Sequence, residues 1–496
     1  MLTQLTAEHG ALPFTLEPYS GATLNMYHLG LYAITGVVQQ LSGAPAYTAL
    51  LWTTQLFNGF CAIGIYFVLD HFVGRWAALS GIVVAGLLSF QPAWYVNWGR
   101  FTQLASQTIM LVAFGVTWQL LDRSEPGNSK ASRCQTIGLI LLASGLNAAV
   151  FLLHFRVALY YFPLLIGIVI LELIISAKKH QVWLSISRTI LVAAISIVLI
   201  LPALIPAINA YLKPITEGLV EQSDFYFVYT SQTLFNNGIH PASFWIAVIA
   251  GIFALVSRHK QLAIITWIWI FALFLEGNLY KLGVPFLNFT NFSGIMIGFY
   301  LPAAILIGLG IEALIDRIPQ NWQNRSIKTF YYAIFIFGFV ASFYRSSGIE
   351  PWRYFVTDYD RQAMDWINQN TPSDAIFAIN TYMWLEGISH GTDGGYWIPF
   401  FTGRQTNTET MILPTNQVEE MKLIQERSLA IVNYIYGKGD LQSLCDNNLD
   451  YIYIGKGNVI SEPFNPSTII KDPLAKLVYQ NQGVKIFQLC PNKPTQ

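Results

Sequence analysis

The sequence predicts an α-helical polytopic membrane protein with about ten spans and a small C-terminal α/β domain in water. Three observations lead to this fold class. Of the 496 residues, 53% are hydrophobic and only 11% are charged, whereas a soluble domain carries about 25% charged residues. Apolar windows of about 20 residues, long enough to cross a bilayer, recur between positions 46 and 345. After position 348 the composition becomes that of a soluble domain.

The predicted spans follow one another along the chain and orient it in the membrane. They are 46–70, 76–96, 102–121, 136–154, 157–177, 187–208, 243–257, 261–277, 295–315 and 328–345. Short cytoplasmic loops are enriched in lysine and arginine, and most of the basic residues between and beside the predicted spans lie in the alternate loops that contain Arg75, Arg123, Lys178, Arg258 and Arg317. These loops are therefore predicted to face the cytoplasm, and the C-terminal domain is predicted to lie outside.

Three regions follow from this division. Residues 1–45 are predicted to form an outer loop with an interfacial helix near 27–41, residues 46–347 the transmembrane helical domain, and residues 348–496 the extracytoplasmic α/β domain. In the last region we expect three pairs of a helix and a following strand. The pairs are 360–370 with 375–380, 441–445 with 451–454, and 474–479 with 484–489.

Several function classes find no support in the composition or motifs. The 28 basic and 28 acidic residues give a net charge of zero, so no nucleic-acid partner is expected. The sequence has no P-loop, dinucleotide-binding glycine motif, zinc-protease motif or serine-hydrolase motif. Cys445 and Cys490 both lie in the predicted outer domain, where they form either a disulfide or two separate buried thiols.

Basic residues at two predicted outer corners are the main candidates for a binding site. Arg100 follows Trp98 and precedes Gln103 in an aromatic turn, and His154 and Arg156 form the next corner on that side. Arginine binds phosphate through a planar fork of N–H donors, although interfacial arginines among aromatic residues also occur for structural reasons. We interpret the two corners as an anion site whose cationic donors are both arginines and His154.

Further binding candidates lie in other predicted outer segments. Tyr27 and His28 lie close to the chain start, and Lys281 follows Glu276 in a later outer loop. Lys281 either joins the anion site or pairs with Glu276.

Catalytic candidates are acids in the same outer segments. Glu8, Glu17 and Asp224 are each placed to act as a general base on an acceptor hydroxyl. Asp224 lies in a long loop, 209–242, of a length that is usually functional or disordered. No spacing demands a metal site, so no residue is assigned as a metal ligand, while a divalent cation (Mg or Mn) held by outer carboxylates stays an option.

At these residues the sequence resembles bacterial polytopic glycosyltransferases of the GT-C type, in particular a branch of large membrane proteins. The resemblance extends over nearly the full length and includes Trp98-Gly99-Arg100 and His154-Phe155-Arg156. The remaining similar segments are 5–13, 18–21, 27–30, 363–367, 370–375, 393–399 and 402–404. Each segment is a modest pattern, and their common order makes the resemblance fairly specific.

The resemblance implies a GT-C-like fold and an inverting transferase in a bacterial inner membrane. Such an enzyme moves a sugar from a polyprenyl-phosphate donor to an extracytoplasmic glycan, lipid or protein acceptor. A carboxylate assists the attack of the acceptor hydroxyl on the anomeric carbon, and cationic donors stabilise the leaving lipid phosphate. Arg100, Arg156 and Lys281 would be those donors.

The chain also departs from the pattern of this family. The family's first helix, and the acid at the start of its first outer loop, precede the point where this sequence begins, so no residue here maps onto that acid. A truncated or inactive transferase is therefore one expectation. Two other classes stay open, namely a non-catalytic membrane assembly subunit and a carrier or flippase for lipid-linked saccharides, although no internal repeat supports the latter.

The predicted topology is testable with single cysteines in a variant whose Cys61 and Cys134 are replaced by serine. A maleimide that does not cross membranes is expected to label Gln222→Cys but not Ser129→Cys in intact cells, because only the first lies in a predicted outer loop. Labelling in the reverse pattern would overturn the orientation.

Overall fold

The computed structural model describes residues 1–24, 27–122, 130–178, 181–216, 239–278, 292–346, 355–385, 388–408, 418–456 and 463–491. Contacts between Cα atoms divide the chain into two compact units. The membrane unit contains Gly10–Leu12 and His28–Ile349, and the C-terminal unit contains Met1–His9, Pro13–Tyr27 and Glu350–Gln496. The first residues of the chain thus belong to the same unit as its last third.

The membrane unit is built from helices. In chain order they are α2 (Gly30–Ser42), α3 (Ala46–Phe72), α4 (Arg75–Val83, continued by a π-helical turn Val84–Leu88), α5 (Ala93–Asn97), α6 (Phe101–Asp122), α7 (Lys130–Leu153), α8 (Phe155–Lys178), α9 (Val182–Thr216), α10 (Pro241–Ala254), α11 (Lys260–Glu276), α12 (Phe292–Met296), α13 (Tyr300–Ile315) and α14 (Gln320–Ser346). Eight of the ten predicted spans coincide with one helix each, whereas 76–96 is divided among α4, its π-helical turn and α5, and 295–315 between α12 and α13. Helix α2 covers most of the predicted helix at 27–41.

Seven helical segments of the described chain have the length and apolar composition to cross a membrane. They are Ala46–Phe72, Arg75–Asn97, Phe101–Asp122, Arg133–Leu153, Phe155–Ala177, Val182–Asn209 and Gly294–Ile315. Pro241–Ala254 and Ile327–Phe343 are shorter apolar helices. The predicted polytopic α-helical membrane protein is confirmed, whereas the number of crossings and their orientation stay predictions.

Burial separates central helices from peripheral ones. In their most apolar windows, 94% of the residues in Gly294–Ile315 and 83% of those in Phe101–Asp122 are buried, compared with 6% in Val182–Asn209. The centre of the unit is therefore α6 and α13. Peripheral helices expose large apolar side chains such as Trp183 and Ile249, as expected for surfaces that face lipid.

Close helix contacts in this unit depend on small residues. A Cβ atom added to Gly310 of α13 would lie 2.5 Å from the Cβ atom of Ala250 on α10. At the last turn of α13, Glu312 accepts a hydrogen bond from the Ala77 backbone N–H (3.0 Å) and pairs with Arg258 (3.3 Å). Arg258 also pairs with Asp316 at 3.0 Å, so the ends of α4, α10 and α13 are held together.

The C-terminal unit contains a five-stranded sheet. Its strands are β3 (Ile376–Ile379), β6 (Gln405–Thr406), β7 (Tyr451–Ile454), β8 (Ala475–Gln480) and β9 (Lys485–Leu489). Their order across the sheet is β6-β3-β7-β9-β8. Two hairpins complete the strands, β1 (Thr15–Leu16) with β2 (Ser20–Thr23) and β4 (Thr381–Leu385) with β5 (Ile388–Gly391). Strands β6, β3 and β7 are parallel, and β9 joins them antiparallel to β7 and β8.

Helices complete this unit. They are α1 (Leu2–His9), α15 (Asp358–Asn370), α16 (Ile398–Thr402), α17 (Val418–Ile435), α18 (Leu441–Asp446) and α19 (Pro466–Ile469). Side chains of successive β7 residues enter two different apolar clusters, Ile452 in one and Tyr453 in the other. The sheet is therefore covered on both faces, which explains why β7 is apolar throughout rather than alternating.

Two sequence expectations for this unit have different outcomes. The predicted helix at 474–479 is wrong, because this segment is the strand β8, paired antiparallel with β9. Asn481 accepts hydrogen bonds from the N–H groups of Gly483 and Val484 and so closes the turn between the two strands. A run of six residues is too short for its apolar spacing to separate a helix from a strand. Cys445 and Cys490 form a disulfide, which decides between the two alternatives.

Asp393 anchors the glycine-rich segment of the C-terminal unit. Its carboxylate is fully buried and accepts hydrogen bonds from Gly395 N (2.9 Å), Gly455 N (2.9 Å) and Asn380 Nδ2 (2.6 Å). Burial raises the pKa of this carboxyl to about 7, while the three donors act in the opposite direction. The segment after β5 is thereby tied to the ends of β3 and β7.

Replacing Asp393 by asparagine is expected to destabilise the C-terminal unit by about 2–4 kcal/mol, because an amide N–H would face a buried donor. Hydrogen exchange of β3 and β7 in the full chain measures the change. Asp374→Asn is the matched control, since Asp374 is exposed. Equal protection of both variants would show that the three hydrogen bonds do not stabilise the sheet.

Candidate functional site

A tight turn places Arg100 at the start of α6. The turn contains Gly99 with φ +69°, a conformation that residues with a Cβ atom rarely adopt. The Arg100 backbone N–H donates to the Tyr95 carbonyl oxygen at 2.9 Å. The Trp94 and Trp98 rings pack with their centroids 5.5 Å apart. The aromatic turn that the sequence singled out therefore fixes the direction in which α6 begins.

The second corner joins α7 to α8 through His154. This residue is almost fully buried, and its Nδ1 atom has no hydrogen-bond partner in the described part of the chain. Arg156 lies in the first turn of α8 with its Cζ atom 5.8 Å from the Phe155 ring centroid. The Nε atom of Arg156 is buried and also has no partner among the described residues.

His28 completes this group of residues. Its ring stacks on that of His154 with centroids 4.1 Å apart and an interplanar angle of 34°. The stacking requires α2 to approach the end of α7 closely, since a Cβ atom at Gly30 would lie 2.7 Å from the Leu152 carbonyl oxygen. We call the group formed by His28, Arg100, His154 and Arg156 the arginine corner.

The charges of the arginine corner are unbalanced. Burial, and then the charge of Arg156, lower the pKa of His28 to about 3. Burial, then His28 and the two arginines, hold the pKa of His154 well below its usual value. Burial thus favours the neutral form of both imidazoles, and the role of His154 as a cationic donor stays a prediction. Arg100 and Arg156 are near enough to repel each other, and among the described residues neither forms an ion pair.

A chain of polar side chains leads from the arginine corner into the centre of the unit. Arg100 Nη1 donates to Gln103 Oε1 at 3.4 Å, and Gln103 Nε2 donates to the Tyr95 hydroxyl at 3.5 Å. Gln107 Nε2 donates to the same hydroxyl at 3.1 Å, and the Tyr300 hydroxyl donates to Gln107 Oε1 at 3.1 Å. Sequence reasoning missed Tyr95, Gln107 and Tyr300, although two glutamines four residues apart on an apolar helix were a visible signal.

A small cavity adjoins this chain of polar side chains. Gln107, Tyr160, Trp269, Leu273 and Gly298 contribute to its lining. The indole N–H of Trp269 donates to the Tyr160 carbonyl oxygen at 2.7 Å, which ties α11 to α8. Apart from Gln107, the lining is mostly apolar.

The remaining predicted site residues are divided between the two units and the segments outside the described residues. Tyr27, Glu8 and Glu17 belong to the C-terminal unit, where Glu8 and Glu17 are exposed and Glu8 accepts a hydrogen bond from Gln4 at 2.8 Å. Trp98 is half-buried in the membrane unit beside Arg100. Asp224 and Lys281 lie outside the described residues, as does most of the loop 209–242. Within the described ranges, no three His, Cys, Asp or Glu side chains converge to hold a metal ion.

The fold matches solved membrane proteins, although no family model and no curated protein matches the sequence. The Archaeoglobus fulgidus oligosaccharyltransferase with a tethered acceptor peptide superposes with a TM-score of 0.54 and 12% identity, over 92% of this chain and 64% of its own. AglB from that organism, in complex with an inhibitory peptide and a dolichol-phosphate, superposes with a TM-score of 0.52 and 12% identity, over 91% of this chain and 64% of its own. For ArnT from Cupriavidus metallidurans bound to undecaprenyl phosphate, the TM-score is 0.48 and the identity 14%, over 98% of this chain and 92% of its own.

This chain has a GT-C-type fold. The conclusion rests on the oligosaccharyltransferase superpositions above 0.5, and it confirms the fold class that the resemblance implied. At 12% identity the match shows the fold alone, and this GT-C-type chain spans 64% of the length of the oligosaccharyltransferase.

The packing beneath the arginine corner is testable with a pair of glycine variants. Gly30→Ala is expected to lower the thermal midpoint in detergent by several degrees, because its Cβ atom would collide with the end of α7. Gly59→Ala is the matched control, since open space surrounds this helical glycine and alanine favours a helix. Equal midpoints for the two variants would contradict the close contact.

Proposed function

We propose that this chain is a glycosyltransferase that moves a sugar from a polyprenyl-phosphate carrier to an extracytoplasmic acceptor. The arginine corner carries the proposal, because it places two guanidinium groups that form no ion pair among the described residues beside the packed rings of His28 and His154, whose centroids lie 4.1 Å apart. Arg100 is exposed and Arg156 is half-buried, so a ligand in solution or in the bilayer can reach them. An anion at this place would relieve the repulsion between Arg100 and Arg156. A phosphate suits the arrangement, since a guanidinium presents several N–H donors to its oxygens.

The proposed reaction is a displacement at the anomeric carbon with inversion. The acceptor hydroxyl oxygen attacks this carbon, its proton passes to a carboxylate, and the bond to the phosphate oxygen breaks. The leaving phosphate keeps the electron pair, and Arg100 and Arg156 stabilise its growing charge. Such stabilisation is strong where water is excluded, and burial of His154 shows that part of the corner is dry.

The disulfide supports the proposed location of the C-terminal unit. Structural disulfides form and persist outside the cytoplasm, and Cys445 and Cys490 are bridged. The distribution of lysine and arginine among the loops independently predicts that the C-terminal unit lies outside the cytoplasm. We therefore place the protein in a bacterial inner membrane with its C-terminal domain extracytoplasmic.

The fold neighbours support the proposed kind of donor. One AglB structure contains dolichol-phosphate, and another oligosaccharyltransferase structure contains an acceptor peptide. The acceptor of this chain is proposed only as a glycan, lipid or protein. A divalent cation (Mg or Mn) is assigned no ligand set among the described residues.

A second candidate function is a non-catalytic subunit that binds the lipid carrier. It needs no catalytic carboxylate at the arginine corner, and Glu8 and Glu17, the two predicted catalytic acids that the structure describes, are exposed. The two functions differ in a simple assay, since both require binding of the lipid phosphate and only the transferase requires turnover.

Arg100→Ala and Arg156→Ala are each expected to weaken binding of a polyprenyl phosphate in nanodiscs by about 10- to 100-fold. This factor corresponds to the free energy of one hydrogen bond to a charged group. Arg156→Ala should also abolish turnover of a polyprenyl-phosphate sugar while the protein stays folded. Native mass spectrometry measures the bound lipid, and the corresponding polyprenol without phosphate is the ligand control.

Arg133→Ala is the matched protein control, because Arg133 is exposed and lies at the far end of α7 from His154. Unchanged binding in both corner variants would remove the arginine corner from the site. Phosphate-dependent binding without turnover in the unmodified protein would favour the non-catalytic subunit.

A further inference from the structure

Polar groups buried beneath Arg100 form one connected chain. Four of them are amide or hydroxyl side chains with exposed fractions of 3% or less, namely Tyr95, Gln103, Gln107 and Tyr300. The chain ends at the thiol of Cys61, whose Sγ atom lies 3.0 Å from the Tyr300 hydroxyl oxygen. Because the Tyr300 hydroxyl donates its proton to Gln107, the thiol is the donor in this last bond. Each member thus has a hydrogen-bond partner, as a polar group in an apolar core requires.

Tyr95 is connected to both ends of Arg100. Its backbone carbonyl oxygen accepts the Arg100 backbone N–H at 2.9 Å. Its hydroxyl oxygen accepts the Gln103 amide N–H at 3.5 Å, and the Gln103 amide oxygen accepts Arg100 Nη1 at 3.4 Å. Both side-chain bonds are long and therefore weak, so the guanidinium is directed without being immobilised.

The deeper half of the chain fixes the Tyr95 hydroxyl. Gln107 Nε2 donates to this hydroxyl at 3.1 Å, and the Tyr300 hydroxyl donates to Gln107 Oε1 at 3.1 Å. A Cβ atom at Gly298 would lie 3.1 Å from Gln107 Nε2, so the absence of a side chain there leaves room for the amide. Tyr300 belongs to α13, a central helix of the unit. The direction of Arg100 is thus linked to the centre of the membrane unit.

The side chain that directs Arg100 is neutral. A carboxylate in the place of Gln103 would compensate the guanidinium charge, whereas an amide oxygen orients the N–H donors and leaves the net charge for a ligand. Arg258, at the far end of the helices, has the opposite arrangement. It pairs with Glu312 at 3.3 Å and with Asp316 at 3.0 Å, which connects helix ends.

We propose that Tyr95 is a positioning residue whose hydroxyl, acting through Gln103, sets the direction in which Arg100 meets the lipid phosphate. The proposal rests on the proposed transferase function and deepens it by a residue that itself touches neither donor nor acceptor. Donors that are oriented in advance stabilise a developing charge better than donors that must first turn towards it. No bond forms or breaks at Tyr95.

The first test removes the hydroxyl and keeps the ring. Tyr95→Phe is expected to weaken binding of undecaprenyl phosphate in nanodiscs by about threefold to tenfold, the range for loss of one buried hydrogen bond. Native mass spectrometry measures the bound lipid, and binding of undecaprenol, which lacks the phosphate, should stay unchanged. Unchanged binding of undecaprenyl phosphate by a folded Tyr95→Phe variant overturns the proposal.

Tyr331→Phe is the matched control for loss of a bonded tyrosine hydroxyl. The Tyr331 hydroxyl donates to the Trp76 carbonyl oxygen at 2.8 Å and lies 3.0 Å from Ser80 Oγ. Trp76 precedes Ala77, whose N–H bonds to Glu312 at the end of α13 opposite to Tyr300. Tyr331→Phe should therefore lower the thermal midpoint and leave phosphate binding unchanged. An equal loss of binding in both variants overturns the positioning role.

A double-mutant cycle shows whether Tyr95 acts through Arg100. Once Arg100 is replaced by alanine, adding Tyr95→Phe should change binding of undecaprenyl phosphate by less than about twofold, because the group that it directs is gone. A role in overall stability alone would give the same factor in both backgrounds. An equal factor with and without Arg100 therefore contradicts the proposal, even if Tyr95→Phe alone weakens binding.

Gln103→Glu tests the same arrangement with a side chain of nearly unchanged shape. Its carboxylate would pair with Arg100 and compensate the charge that a phosphate needs, so binding of undecaprenyl phosphate at pH 8 should fall by at least about tenfold. Binding equal to that of the unmodified protein would show that Gln103 does not control Arg100, and the role of Tyr95 would fail with it.

Failure of the proposed function and failure of the positioning role give different results. An unmodified protein that binds undecaprenyl phosphate no better than undecaprenol contradicts the proposed function and, with it, the role of Tyr95. Phosphate-dependent binding that Tyr95→Phe leaves intact contradicts the role of Tyr95 alone.

Discussion

The repulsion between Arg100 and Arg156, which begin the packed helices α6 and α8, is the interaction on which the proposed site depends. Arg100 and Arg156 begin neighbouring helices, repel each other, and have no acidic partner in the described part of the chain. Their positions are fixed by backbone features rather than by their own attraction, namely the left-handed turn at Gly99 and the helix break at His154. The rings of His28 and His154 pack against each other beside the two arginines. Arg100 is exposed, so water screens part of the repulsion, and a bound anion would offset the rest.

Much of the architecture could be predicted from the sequence because the membrane imposes a simple rule. The predicted apolar windows are helical, two of them as more than one helix, and the two corners that drew attention lie close enough for the charges of Arg100 and Arg156 to act on His154. The positions of the helices can be predicted from composition alone, since a lipid environment permits few alternatives to a helix. The parallel strands β3 and β7 were likewise visible as short apolar runs after a helix.

The parts that could not be predicted depend on contacts between distant residues. The charge of His154 depends on how deeply it is buried and on the arginines beside it, neither of which a sequence pattern reports. Tyr300 bonds to Gln107 across 193 positions of the chain, and α1 joins the C-terminal unit across most of the chain. The segment 474–479 became a strand because β9 offered it a partner, a pairing that its own six residues do not encode.

The long peripheral helix α9 has a consequence for the response of the protein to its lipid surroundings. Its 35 residues extend about 52 Å at 1.5 Å per residue, whereas the hydrocarbon layer is about 30 Å thick. Such a helix must tilt or project beyond the acyl chains, and its tilt adjusts when bilayer thickness changes. Only 6% of its most apolar window is buried, so most of the surface that moves in such an adjustment faces lipid. Changes in acyl-chain length would thus be absorbed at the rim of the molecule while α6 and α13 keep their places.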